Sequence, residues 1–244
     1  MRTLTQVCFL AAVVFAGEAM AQVQQRAAAG ARPAGGAAGA AAVGESVRLI
    51  PMEFVRLSRL KLLPAPSIGN EPRKGRGKPR EWALFEVGYE TAPEWIDELE
   101  FNFTVMMKRL SPETGKEEYN LFRTTVKYVD VIGVANKSVL NSNMGRHQSC
   151  VALHPNAFIR YGDERDNATR GVVAFALEIV LDGKVVAAQS EVVGALKKSL
   201  PEDWWKNPIV TNNDSVRVRD GYLMDRSKTP FALMNSDDYE MVKQ

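Results

Sequence analysis

Three side chains in the 244-residue chain stand close enough in sequence to suggest chemistry: His147, Cys150 and His154. A cysteine beside histidines could supply a thiol nucleophile with an imidazole base, or part of a zinc site. The spacing argues against both. On an extended strand His147 and Cys150 point to opposite faces, while Cys150 and His154 share a face but stand ~13 Å apart at ~3.3 Å per residue. A nucleophile and its base need hydrogen-bond contact, and zinc needs three or four ligands around one point. The chain has 2 histidines in all, so the sequence predicts no catalytic residue, no metal ligand and no cofactor. Cys150 reads as a small buried apolar residue, with an intermolecular bridge as the alternative.

Carboxylates offer little more. Asp163, Glu164 and Asp166 cluster in one loop and Asp237-Asp238 in another, but the first lacks the ligand spacing and final Glu of a calcium loop and reads as a solvated turn. There is no Walker A loop, dinucleotide fingerprint or nucleophile elbow.

The residue types suited to binding are clearer. Arg73, Lys74, Arg76, Lys78 and Arg80, spaced by Gly75, Gly77 and Pro79, make a basic strip. Such a strip suits an acidic glycan, a phosphate-bearing lipid or an acidic protein, or else is simply a soluble hairpin loop. Trp95 and the pair Trp204-Trp205 lie in polar, Pro-bounded connections where an exposed indole can meet a sugar ring or a protein. Two adjacent residues seldom both face a core, so one of Trp204 and Trp205 is expected at the surface. Trp82 reads as a core anchor. Sequons at Asn102, Asn136, Asn167 and Asn213 carry no information without a host, although Asn102 is expected to face outward.

The elements that would position these residues are strands. Leu99, Phe101, Phe103, Val105 and Met107 alternate with Glu100, Asn102, Thr104 and Lys108, as in a half-buried antiparallel strand. Ala83, Phe85, Val87 and Tyr89 alternate in the same way, as do Phe122, Thr124, Val126 and Tyr128. Asp182-Gly183 between two β-branched runs predicts a type I′ hairpin over 172–193, with Leu181 opposite Lys184 and Ile179 opposite Val186. The segment 46–63 slips phase between Leu57 and Leu60, which a strand with a β-bulge would explain and a helix over 52–63 would also accommodate. Seven or eight strands without a long amphipathic helix predict an all-β, immunoglobulin-like antiparallel sandwich.

Composition agrees with a globular body. The chain is 45% hydrophobic and 25% charged, with a net charge of +2, which argues against a disordered chain, a polytopic membrane protein or a strongly basic nucleic-acid binder. Residues 1–21 read as a signal peptide: Met1-Arg2, an apolar run from Val7 to Ala16, then Ala19-Met20-Ala21 before Gln22. The apolar run is too short to span a bilayer, and no later stretch is long enough. Residues 22–44 read as a flexible tether, since 27–44 holds ten Ala and five Gly and nothing able to build a core. The sandwich is then expected over 45–244, exported to the periplasm or outer cell surface.

The C-terminal run Asp225-Arg226-Ser227-Lys228-Thr229-Pro230-Phe231-Ala232, with Asn235-Ser236-Asp237-Asp238-Tyr239-Glu240 after it, resembles the closing segment of secreted Ig-like proteins. Those proteins are associated with type IV pilus gene clusters in mucin-associated gut bacteria. The resemblance implies an Ig-like sandwich outside the cytoplasmic membrane, with a role in pilus assembly, adhesion or envelope organisation; it leaves room for a homo-oligomer and carries over no catalytic residue. From the residues themselves, Ser236 can cap a short helix ending near Lys243. Two functions follow as expectations. The first is a non-catalytic interaction protein whose partner is a protein or an envelope or glycan surface and not a nucleic acid, bound through Arg73, Lys74, Arg76, Lys78, Arg80, Trp204 and Trp205. The alternative is an extracytoplasmic hydrolase or carbohydrate-active protein.

Overall fold

Strands form where the alternating residues lie. The computed structural model describes residues 47–66, 80–91, 95–132, 145–163, 169–234 and 239–243, all within the compact unit Ala42–Gln244. Its strands are β1 (Val47–Leu49), β2 (Lys61–Pro64), β3 (Glu81–Thr91), β4 (Trp95–Leu110), β5 (Glu117–Ile132), β6 (Arg146–Leu153), β7 (Val172–Leu181), β8 (Lys184–Val192), β9 (Val216–Arg219), β10 (Leu223–Asp225) and β11 (Met241–Val242). One sheet has the order β1-β3-β6-β10, with β2 also on β3, and the other has the order β11-β5-β4-β7-β8, with β9 also on β5. All pairings are antiparallel except β9 with β5. The fold is therefore the all-β sandwich expected, with more strands than expected because the extra ones are too short to show a period.

The alternating residues supply the core. Leu99, Phe101, Phe103, Val105 and Met107 of β4 are buried, as are Ala83, Phe85, Val87 and Tyr89 of β3. Phe85 stacks on Phe175 of β7 at 5.2 Å, and Tyr89 meets Phe101 at 4.9 Å, so the two sheets interlock through aromatic rings. Each such ring contributes about 1.5–3 kcal/mol through removal from water.

The type I′ turn is present, with φ of 51° at Asp182 and 73° at Gly183, and Leu181 opposes Lys184. Beyond it the register departs from expectation. A β-bulge sits opposite Ile179 and Val180, so Ile179 pairs with Ala187 rather than Val186. The extra residue keeps Leu177 and Ile179 facing the core while the partner strand bends.

The N-terminal arm also differs from a bulged strand. Two 3-10 turns, Pro51–Glu53 and Leu57–Arg59, separate β1 from β2, and the phase slip in the sequence falls within the second turn. Pro51 has no N–H to give a ladder. The arm drops Phe54, Val55 and Leu57 into the side of the sandwich. Phe54 lies 5.3 Å from Phe175, and Leu57 N donates to Glu191 Oε1 at 3.1 Å. Gly88 permits this closure, because a Cβ there would meet the Glu53 carboxylate at 2.0 Å.

The opposite side is closed by the C-terminal strap, residues 226–234 and 239–243. It leaves the first sheet at β10 and ends on the second at β11, where Met241 pairs with Val129. Met241 and Val242 are strand, not the end of a helix reaching Lys243: edge pairing with β5 offers backbone partners that a short exposed helix lacks. Ser236, Asp237 and Asp238 lie outside the described residues. Short helices occur elsewhere, as α1 (Pro155–Tyr161) and α2 (Pro208–Thr211).

Candidate functional site

The alternation of β6 separates His147 from Cys150 as expected. Even-numbered positions of β6 face away from the sandwich, and there Cys150 packs with Trp82, Leu84, Ala152 and Phe231 beneath the strap. Cys150 is free and 3% exposed. Burial, reinforced by the nearby Glu86 charge, pushes its thiol up to about 12, so it stays protonated at neutral pH and is no nucleophile. His147 faces inward, where Nε2 lies 3.0 Å from Thr91 Oγ1 and Nδ1 bonds Glu240 of the strap. His154 caps α1, its Nδ1 accepting from Asn156 N at 3.0 Å. Burial and then the Arg80 charge lower its pKa. Each of the three groups thus holds the structure at a different point. No spacing in the sequence could reveal Thr91 and Glu240, which stand 56 and 93 residues from His147.

The strap roofs two recesses. One, of about 270 Å³, is lined by Tyr128, Cys150, Arg226, Tyr239, Glu240 and Met241 among others. A smaller one of about 60 Å³ includes Lys61, Glu86, Cys150 and Phe231 in its lining. Tyr239 O–H donates to Glu86 Oε1 at 3.0 Å, and the Arg226 guanidinium sits 4.2 Å above the Tyr239 ring. Burial, and then Glu86, raise the pKa of this phenol, so it remains a donor. Among the described residues no three His, Cys, Asp or Glu side chains are placed to hold a metal ion. Glu164 and Asp166 lie outside those residues.

Of the residues expected to meet a partner, Arg73, Lys74, Arg76 and Lys78 lie outside the described residues. Their flanks are informative: β2 and β3 pair antiparallel, with Pro64 opposite Glu81, so the strip connects a hairpin. Arg80 is exposed, and its Nη1 donates to Asn156 Oδ1 at 2.7 Å.

Trp204 does not belong to any contact surface. It is fully buried with Met106, Leu121, Ala174, Ala176 and Val210, because residues 194–215 fold over the outer face of the second sheet and need an anchor there. Trp205 is half-buried, 5.9 Å from the Trp204 ring and 5.7 Å from Lys206 Nζ. The side chain of Trp95 lies outside the described residues, and Trp82 is the buried anchor expected. Asn102 faces outward and accepts from Thr125 Oγ1 at 2.6 Å.

This geometry defines a two-layer β-sandwich whose open sides are closed by its own terminal segments. A family model matches residues 55–244, and the chain belongs to that family of bacterial proteins. Among solved structures the chain is similar to a crystal structure from Akkermansia muciniphila, a mucin-associated gut bacterium, with a TM-score of 0.58 and 22% identity. The match covers 81% of this chain and 93% of the other. That likeness concerns the fold. No curated protein matches the chain.

Proposed function

We propose that the protein is a non-catalytic interaction protein of the bacterial cell envelope, exported by residues 1–21, held off by the tether 22–44, and acting in type IV pilus-associated assembly or adhesion. The observation that carries this reading is how the reactive side chains are used. Cys150 is buried and protonated, His147 ties the strap, and His154 caps a helix. Meanwhile the residues suited to contact, Arg80 and Trp205, are at least partly open to solvent. The resemblance of the C-terminal run supports the pilus association.

The test is cosedimentation of the mature chain, residues 22–244, with isolated envelope material and with sheared pili from the producing bacterium. The expected result is saturable binding that Trp205→Ala weakens, and that Arg73, Lys74, Arg76, Lys78 and Arg80 changed together to Ser deprive of its salt-dependent part. Exposed charges are screened over about 8–10 Å at physiological salt, whereas aromatic contacts are not. Absence of binding to either material would refute the reading. Hydrolysis of an envelope glycan that disappears in Cys150→Ser at a temperature where the variant is still folded would replace it with the hydrolase alternative.

A further inference from the structure

The larger recess beneath the strap lies between β5 and β6, with Tyr128 of one and Cys150 of the other in its lining. Its volume of about 270 Å³ is the room of about nine water molecules at ~30 Å³ each. Ala232, Met241, Val242 and the Tyr128 ring give it an apolar wall. The polar side chains of the lining, with one exception, have partners within the protein. Glu240 bonds His147 Nδ1, Tyr239 O–H donates to Glu86 Oε1, and Tyr128 shares a hydrogen bond with Ser149 Oγ. Ser227 O–H donates to Asp225, whose charge Lys228 Nζ meets at 2.8 Å. The exception is Arg226. Its guanidinium sits 4.2 Å from the centre of the Tyr239 ring and donates from Nη2 to Met234 O, and among the described residues it pairs with no carboxylate. A guanidinium has five N–H donors in a planar fork, so one bond to a carbonyl and one ring contact fix its plane and leave its charge and most of its donors for another molecule. Arg226 is half-buried, and a cation drawn partly out of water without an anion carries a cost that a bound anion relieves.

We propose that this recess binds a small monocarboxylate with an apolar body, its carboxylate on Arg226 and its chain against Tyr128, Met241 and Val242. Such a site goes beyond the contact surfaces of an interaction protein and is independent of them. Charge complementarity selects an anion, and a carboxylate offers two oxygens to the guanidinium fork. The charge of the anion is limited to one. A phosphate carries close to two negative charges at neutral pH, and the second would face Glu240 in the same lining. The apolar wall needs an apolar counterpart, and the room of about nine waters takes a chain of about eight carbons. Met241, unbranched and adaptable, can close on chains of different shape.

The experiment titrates the mature chain with octanoate, octanol and acetate by isothermal calorimetry. Octanoate is expected to bind saturably at one site, about tenfold tighter than octanol, which lacks the charge, and roughly a hundredfold tighter than acetate, which lacks the chain. Arg226→Gln should erase the difference between octanoate and octanol. Ala232→Phe, which fills the recess and keeps the cation, should weaken both about tenfold or more. Arg226 also steadies the strap through Tyr239 and Met234, so a crystal of the unaltered chain with octanoate supplies a reading that needs no variant: the carboxylate should lie about 3 Å from the guanidinium. Octanol binding as tightly as octanoate would overturn the role of the cation. Displacement of octanoate by an equal concentration of inorganic phosphate would overturn the monocarboxylate assignment. Octanoate affinity unchanged in Ala232→Phe, octanoate bound elsewhere in the crystal, or no saturable octanoate binding would overturn the site. None of these failures touches envelope binding measured by cosedimentation.

Discussion

Replacing Trp204 by Ala tests whether residues 194–215 are an integral wall of the sandwich. The indole is fully buried among Met106, Leu121, Ala174, Ala176 and Val210, and its Nε1 has no hydrogen-bond partner among the described residues, so the cost of truncation is lost packing. Removing a buried Trp side chain costs about 3–5 kcal/mol. For a body of this size each kcal/mol corresponds to about 2–4 °C, and the transition should fall by about 6–20 °C. Trp204→Phe keeps most of the apolar contact and gives up no hydrogen bond, so it should cost about half as much or less. Trp205→Ala, at a half-buried site, should cost about 1 kcal/mol. Calorimetry with urea unfolding measures all three. A Trp204→Ala transition within about 2 °C of the parent, with an unchanged urea slope, would show that 194–215 detaches without affecting the sheets, and would refute the argument.

Cys150→Ser should cost about 1–2 kcal/mol, since a hydroxyl enters an apolar site, and the native thiol should resist a maleimide at pH 8 until urea opens the strap; immediate labelling would show the strap to be open. The acid limb of stability should depend on Glu98, whose carboxyl is held at about 2 by hydrogen bonds from Lys127 and Lys243, against an ordinary 4.5. A lowered folded-state pKa contributes stability above about pH 4.5 that is lost as pH falls towards 2, so Glu98→Gln should flatten the stability profile across that window and leave its slope above pH 5 unchanged. Limited proteolysis of the mature chain should trim it to about residue 45 without shifting the thermal transition, and loss of cooperative unfolding on trimming would count against a separate tether.

The long strands were legible because one buried face imposes a period of two, and β4 shows it over Leu99 to Met107 without interruption. The hairpin turn was legible because Asp182-Gly183 supplies two positive φ angles, but the bulge two residues later was not, since a run of Val and Ala reads alike in either register. The short strands β9, β10 and β11 are fixed by their neighbours, and two to four residues carry no period of their own. The same limit applied to the site. Cys150 could be judged inert from its spacing, whereas the partners of His147 depend on contacts between segments scores of residues apart. Trp204 and Trp205 are chemically identical, and only the path of the chain over Met106 decides which one is buried.

The two side closures come from opposite ends of the chain, and this sets an order of events during synthesis. Leu57 finds Glu191 only after 134 further residues have been made, and the side of β5 and β6 waits for Tyr239, Glu240 and β11. A nascent chain emerging N-terminus first therefore has the partner for its Leu57 side once Glu191 is made, while the side of β5 and β6 stays open until Tyr239, Glu240 and β11 have followed. A chain stopped short of Phe231 would present Trp82, Leu84 and Cys150 to whatever lies nearby.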